Sequence, residues 1–208
     1  MCAKAYETAT TVLFRSYTSG NTGNNFPCTI CDAIRATSAA SSFFEAVTIG
    51  PHKRKFVDGA LGVNNPIEQI WNEAQEVWCP PGTELKDLLK CVISIGTGDP
   101  GLKPISDGLL TFFSETLVRI ITDTADTAKR FISTHRLLYE QKRYFRFNVQ
   151  QGLQEVGLEE YKKTALIDAA TTEYMEMQET KNLFCRLIIT NTVKSNDSLS
   201  SPLPRNIT

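Results

Sequence analysis

The 208-residue chain has no uninterrupted apolar run of about 18 residues, which excludes a transmembrane helix on length. It also has little excess charge: 22 Lys and Arg against 23 Asp and Glu leave a net charge of −1. Binding a phosphate backbone takes clustered cations on a basic surface, so nucleic acid is not an expected partner. Lys53-Arg54-Lys55 is the one tight basic run, and beside an apolar stretch it reads as the solvated entrance of a strand. Histidine is scarce, with His52 and His135 only, so a Ser-His-Asp triad has few places to find its base. The six cysteines, Cys2, Cys28, Cys31, Cys79, Cys91 and Cys185, are irregularly spaced and fit reduced thiols better than a disulfide framework. Cys28 and Cys31 form a single CxxC pair with no second pair or HxxxH to complete a four-ligand zinc site. A redox pair is one reading of them; two small buried hydrophobes one helical turn apart is the simpler one. No metal and no cofactor is expected. Residues 1–17 carry Lys4, Glu7 and Arg15 and no hydrophobic signal core, so the expected location is cytoplasmic.

What is present is the composition of an ordinary globular domain, 41% hydrophobic and long enough for one real core. Thr11 to Tyr17 reads as a strand, Ser19 to Asn25 as a loop of turn formers, and Cys28 to Ala40 as a helix with Thr29 or Pro27 near its start. Val47-Thr48-Ile49 and Lys55-Phe56-Val57 flank Gly50-Pro51 as a hairpin. A helix follows from Pro66 to Val77, with Asn65 as its cap. Val92 to Ile95 is apolar apart from Ser94 and ends in glycines, the form of a parallel strand buried on both faces. Strand, helix and strand in that order imply a crossover in an α/β sheet. Ser106 to Gln141 is helical with a stripe of Leu109, Phe113, Leu117, Ile120 and Ile121, which reads as core rather than a lipid-binding face because Glu115, Asp123 and Asp126 replace the Lys-rich polar side. Arg143 to Val149 alternates as a strand and Glu159 to Ile189 is helical. Past Thr190 the composition turns to Ser, Asn and Pro, so residues 1–190 form the domain and 191–208 a flexible tail.

The motif that carries chemistry is Phe56-Val57-Asp58-Gly59-Ala60, about twenty residues after Arg35-Ala36-Thr37-Ser38-Ala39-Ala40. An apolar strand that delivers an aspartate into a Gly-Ala turn places a carboxylate at a strand's carboxyl end, where open α/β sheets put their ligands. A lone Asp-Gly also suits a turn aspartate that only caps its loop. With the ATSAA run and Phe43-Phe44 before it, and Asn64-Asn65-Pro66 and Val92 to Gly98 after it, the chain resembles the patatin-like phospholipase family over residues 12–189. The resemblance implies a partial patatin-type three-layer α/β fold, with a mainly parallel sheet flanked by helices. It implies lipid acyl ester hydrolysis by a serine–aspartate dyad, with Asp58 as the proton acceptor of the DGA motif formed with Gly59 and Ala60. The family's serine belongs to a GxSxG elbow, and this sequence contains neither that elbow nor a GGGxRG oxyanion loop. The chain therefore reads as the carboxyl-terminal fragment of such a domain, inactive alone, or as a non-catalytic binding relic of the fold.

Ser38, Ser41 and Ser42 are poor substitutes, since no glycine-flanked strand-to-helix turn surrounds them. Gly96-Thr97-Gly98-Asp99-Pro100-Gly101 matches GxGxxG after a strand, yet Pro104 and further turn residues stand where a phosphate-binding helix would have to begin. Asn196 and Asn206 fit the glycosylation pattern by chance. The partners the reading expects are a glycerolipid or phospholipid substrate, a peripheral membrane contact, and a partner chain over the exposed edge of a truncated sheet.

Overall fold

The computed structural model describes residues 1–17, 26–41, 43–99, 111–154, 156 and 160–192, with the side chains of 111–122 outside the description. In chain order the elements are β1 Cys2–Ala5, β2 Thr11–Leu13, α1 Ile30–Thr37, β3 Val47–Ile49, β4 Arg54–Asp58, α2 Ala60–Val63, α3 Ile67–Trp78, α4 Leu85–Leu88, β5 Val92–Ile95, α5 Thr111–Thr134, α6 Arg136–Glu140, β6 Tyr144–Phe147, α7 Thr164–Glu176 and α8 Gln178–Thr192. They divide into two compact units, one within Met1–Leu85 and Leu102–Thr134, the other within Lys86–Gly101 and His135–Thr208.

The first unit is built on a four-stranded sheet in the order β2-β1-β4-β3, with every pairing antiparallel. A mainly parallel sheet is thus corrected: short connections join β1 to β2 and β3 to β4, and connections that short can only join antiparallel strands. The β3–β4 hairpin turns through Gly50 at φ 77° and Lys53 at φ 50°, as the expected Gly50-Pro51 turn requires. On one face lies α1, opened by a capping box in which the Thr29 hydroxyl accepts from the Asp32 amide and Asp32 accepts from the Thr29 amide. Ala33, Ala36 and Ala39 are buried, and small side chains let α1 sit close on β1, β3 and β4. Phe56 fills the centre, with the rings of Phe14 and Phe26 edge-on at 5.2 and 5.1 Å.

The expected helix forms as α3, but it starts at Ile67 with Pro66 rather than Asn65 at its cap position, so Pro66 precedes the first helical residue. The buried Asn65 amide instead donates to the Thr124 carbonyl, tying the chain before α3 to α5. Trp71 on α3 meets Phe131 on α5 at 5.6 Å, and Arg130 pairs with Glu68 at 3.7 Å. The long helix expected from Ser106 is described from Thr111 and breaks at His135; Leu109 and the side chains of Phe113, Leu117, Ile120 and Ile121 lie outside the described residues.

The second unit holds β5 and β6, which pair in parallel from Val92–Tyr144 to Ile95–Phe147. The expectation of a parallel strand at Val92 to Ile95 is met. Its burial on both faces is not: Ile95 is 79% exposed and Ile93 about half exposed, and among the described residues β5 has one strand neighbour. Its strand partner is β6 of the same unit. Helices α7 and α8 replace the single helix expected to Ile189, with Met177 at ψ 136° between them. Phe184 of α8 packs on Phe147 at 5.0 Å, and the tail past Thr192 lies outside the described residues.

Candidate functional site around Asp58

Asp58 is the last residue of β4, with β1 on one side and β3 on the other. Its backbone amide donates to the Ala39 carbonyl at 2.9 Å, so the end of the ATSAA run is fastened to the aspartate. Its side chain accepts from the Ala60 amide at 2.8 Å, an arrangement that turns the chain directly into α2. Gly59 is required here by space. A Cβ on it would stand 2.6 Å from the Cys2 carbonyl oxygen and 3.2 Å from a Val63 methyl. Partial burial raises the Asp58 carboxyl above the ordinary aspartate range, and the Ala60 hydrogen bond offsets part of that rise. A carboxylate shifted this way is a stronger base than a solvated one.

Ala3 of β1 lies directly opposite Asp58 in the sheet. Opposed residues bring their Cβ atoms to about 5 Å, so position 3 is a neighbour of the carboxylate, and it offers only a methyl group. Sequence reasoning missed both Ala3 and Ala39 as neighbours. The signal was faint, since Cys2-Ala3-Lys4-Ala5 has none of the β-branched or aromatic residues that mark strands.

The remaining candidates do not gather at Asp58. The Ser38 hydroxyl donates to the Ile34 carbonyl at 2.9 Å, Ser41 is exposed, and Ser42 lies outside the described residues. His52 is in the exposed turn at the opposite end of β4, and His135 is in the other unit. Cys28 packs partly against the core of the first sheet, whereas Cys31 is exposed, which corrects the reading of both as buried. Arg54 of the basic run lies over the Phe26 and Phe56 rings at 5.0 and 5.5 Å. In the glycine-rich turn after β5, Asn148 Oδ1 accepts from the Gly98 amide at 3.1 Å, so a side chain of the same unit takes the place a phosphate would need. Pro100 and Gly101 of that motif lie outside the described residues, as do Asn196 and Asn206.

Close to the same sheet, Arg15 grips Glu73 through two nitrogens, both at 2.5 Å, and Tyr17 donates to Glu73 at 2.9 Å. The Arg15 guanidinium holds the Glu73 carboxyl below the usual carboxylate range. This bidentate pair ties the segment after β2 to α3. Among the described residues no group of three or more His, Cys, Asp or Glu is arranged to hold a metal, and no helix is long and apolar enough to cross a membrane.

Comparison with known proteins gives the chain phospholipase relatives. It is 33% identical over 116 residues to calcium-independent phospholipase A2-gamma of Mus musculus, a match that covers 56% of this chain and 14% of the relative. Against the Homo sapiens protein of that name it is 29% identical over 151 residues, 72% of this chain and 18% of the relative. The chain thus spans less than a fifth of the length of these relatives. No protein-family model and no solved structure matches it.

Proposed function

We propose that this chain contributes the acid–base half of a patatin-like lipid acyl hydrolase site, in which Asp58 takes the proton of a serine that attacks a phospholipid acyl ester. Three things support the reading: the DGA turn at a strand end, the relation to phospholipases, and an aspartate made more basic by burial. The single observation that carries it is the fixed position of the carboxylate, fastened through Ala39 and Ala60 with Gly59 packed against Cys2. In the reaction the serine oxygen would bond to the ester carbonyl carbon as its proton passes to Asp58. The alcohol would leave with that proton, and water would then release the fatty acid from the serine. The serine and the oxyanion donors belong to sequence outside these 208 residues, since the chain holds no GxSxG.

The test is hydrolysis of phosphatidylcholine by the native protein isolated from its source cells, with its intact mass and sequence determined. A product that contains an upstream GxSxG and hydrolyses the lipid, with activity lost on Asp58→Asn by a factor of about a thousand, supports the reading. Activity that survives Asp58→Asn overturns it. A second reading, a binding relic of the fold, is favoured by one feature: the strand beside Asp58 presents Ala3, so no nucleophile comes from that neighbour. It predicts a native product without the serine and without hydrolysis.

A further inference from the structure

Thr37, the last residue of α1, is half-buried, and its hydroxyl leaves the helix to donate to the Cys2 carbonyl of β1 at 2.5 Å. The next residue behaves otherwise. The Ser38 hydroxyl donates back to the Ile34 carbonyl of its own helix, the local habit of hydroxyls in helices. Ala3 with Asp58 is the last pair of the β1–β4 ladder, so the Cys2 carbonyl stands one residue beyond it, where a backbone acceptor needs a donor from elsewhere. The same oxygen bounds the space of Gly59, lying 2.6 Å from where a Cβ on that glycine would stand. One carbonyl is thus held from α1 and bears on the residue that follows Asp58.

We infer that Thr37 is a positioning residue for the Asp58 carboxylate, acting through the Cys2 carbonyl and Gly59. The inference rests on the reading of Asp58 as the proton acceptor of an acyl hydrolase. A carboxylate at a turn is fixed only as well as the chain on either side of it. The Asp58 amide is bonded to the Ala39 carbonyl and the Ala60 amide to the carboxylate, so both fastenings act beside Gly59, whereas the Cys2 carbonyl confines Gly59 itself. The end of the ATSAA helix therefore reaches the turn twice, through Ala39 and through Thr37, with the fully buried Ala36 packed behind them. The clamp also keeps water away. Burial is the larger influence on the Asp58 carboxyl and the Ala60 amide the smaller, so a looser end of β1 acts on that group chiefly by letting water in. Threonine suits the position because its branched Cβ restricts the rotation of the hydroxyl. Valine keeps the shape without the donor, and serine keeps the donor without the branch.

Thr37→Val and Thr37→Ser test this, each checked for folding by circular dichroism, with Thr37→Ala in place of the valine variant where valine fails to fold. In turnover of phosphatidylcholine by the full-length product, Thr37→Val is expected to lower kcat by about tenfold to a hundredfold, the scale of misplacing a reacting group by up to about 1 Å. KM is expected to stay as in the parent, and Thr37→Ser to recover most of the loss. A second readout needs no turnover. In the 208-residue chain the Asp58 carboxyl, followed by carbon-13 NMR, is expected to titrate at lower pH in Thr37→Val than in the parent and close to the parent in Thr37→Ser. A folded valine or alanine variant in which Asp58 titrates as in the parent, or which keeps the kcat of an active parent, overturns the inference. So does a serine variant no better than valine. A lowered titration in a protein that hydrolyses no lipid in any form supports the clamp and removes the hydrolase reading, so the two failures are told apart.

Discussion

The two sheets of this protein treat their apolar strands in opposite ways. In the four-stranded sheet β4 has a partner on each side, and its Phe56 is fully buried between Phe14 and Phe26. In the two-stranded sheet β5 has one partner among the described residues, and Ile93 and Ile95 of the more uniformly apolar run are open to solvent. Burial here follows the number of neighbours around a strand, and the hydrophobicity of the strand itself is a weaker guide. Of the charged residues in β4, Lys55 lies on the exposed face that a half-covered antiparallel sheet offers, while Arg54, on the side of Phe56, lies over the Phe26 and Phe56 rings.

The strongest way to break this comparison is to remove the two kinds of side chain in turn. Phe56→Ala is expected to cost about 3–5 kcal/mol, a full ring lost from a packed core, measured as the shift in urea midpoint. Ile95→Thr is expected to stay within about 0.5 kcal/mol, as exposed positions do. Equal costs would mean that β5 is covered as β4 is. Next in size is Gly59→Ala, at about 1–3 kcal/mol. Its new Cβ meets backbone rather than a flexible side chain, so β1 or the turn has to move. Because that turn carries Asp58, the same substitution is expected to lower hydrolysis in the full-length product more than it lowers stability at assay temperature. An unchanged rate would show that the turn is not what positions the carboxylate.

The turn itself was legible in the sequence, and so were the hairpin before it, the capped start of α1 and the presence of a helix after Pro66, because each rests on contacts between residues near in sequence. Thr29 with Asp32, Gly50 in the β3–β4 turn and Pro66 ahead of α3 are all signals of that kind. The direction of the sheet was not legible. It depends on β1, four residues with alanine at positions 3 and 5, pairing with a strand more than fifty residues away. The same long-range pairing puts Ala3 opposite Asp58, so the neighbours of the proposed acid were hidden for the same reason. Asn65 was misread as a cap because capping is a local habit of asparagine, and here Thr124, far along the chain, takes the amide instead.

Glu73 and Asp58 sharpen the comparison at the level of charge, since both are carboxylates attached to the same sheet unit and their environments push them in opposite directions. Glu73 is held by Arg15, so its contribution is present above its unfolded value and is lost as pH falls through its lower folded value. Glu73→Gln at neutral pH is expected to cost about 1–3 kcal/mol, because two hydrogen bonds to a charged partner are weakened and Arg15 is left without its counter-ion. The cost should shrink in acid, where the parent has lost the same charge. A pH-independent difference would assign the effect to packing.

Asp58 should show a smaller effect on stability than Glu73 and the opposite sign with pH. Its folded pKa is raised, chiefly by burial, so its contribution to stability is greatest below the unfolded value and declines as pH rises through the folded one. Asp58→Asn keeps an oxygen to accept from the Ala60 amide and removes the charge that burial opposes. It is expected to change stability by less than about 1 kcal/mol at neutral pH, in the stabilising direction, and to flatten that decline. Chemical denaturation of both forms across the acid range measures it. A group that a fold keeps charged at some cost to itself, on a strand fastened on both sides, is what a catalytic position asks of the structure. A destabilised Asp58→Asn would instead make the carboxylate a structural cap for its turn, and the case for chemistry at that strand end would fall with it.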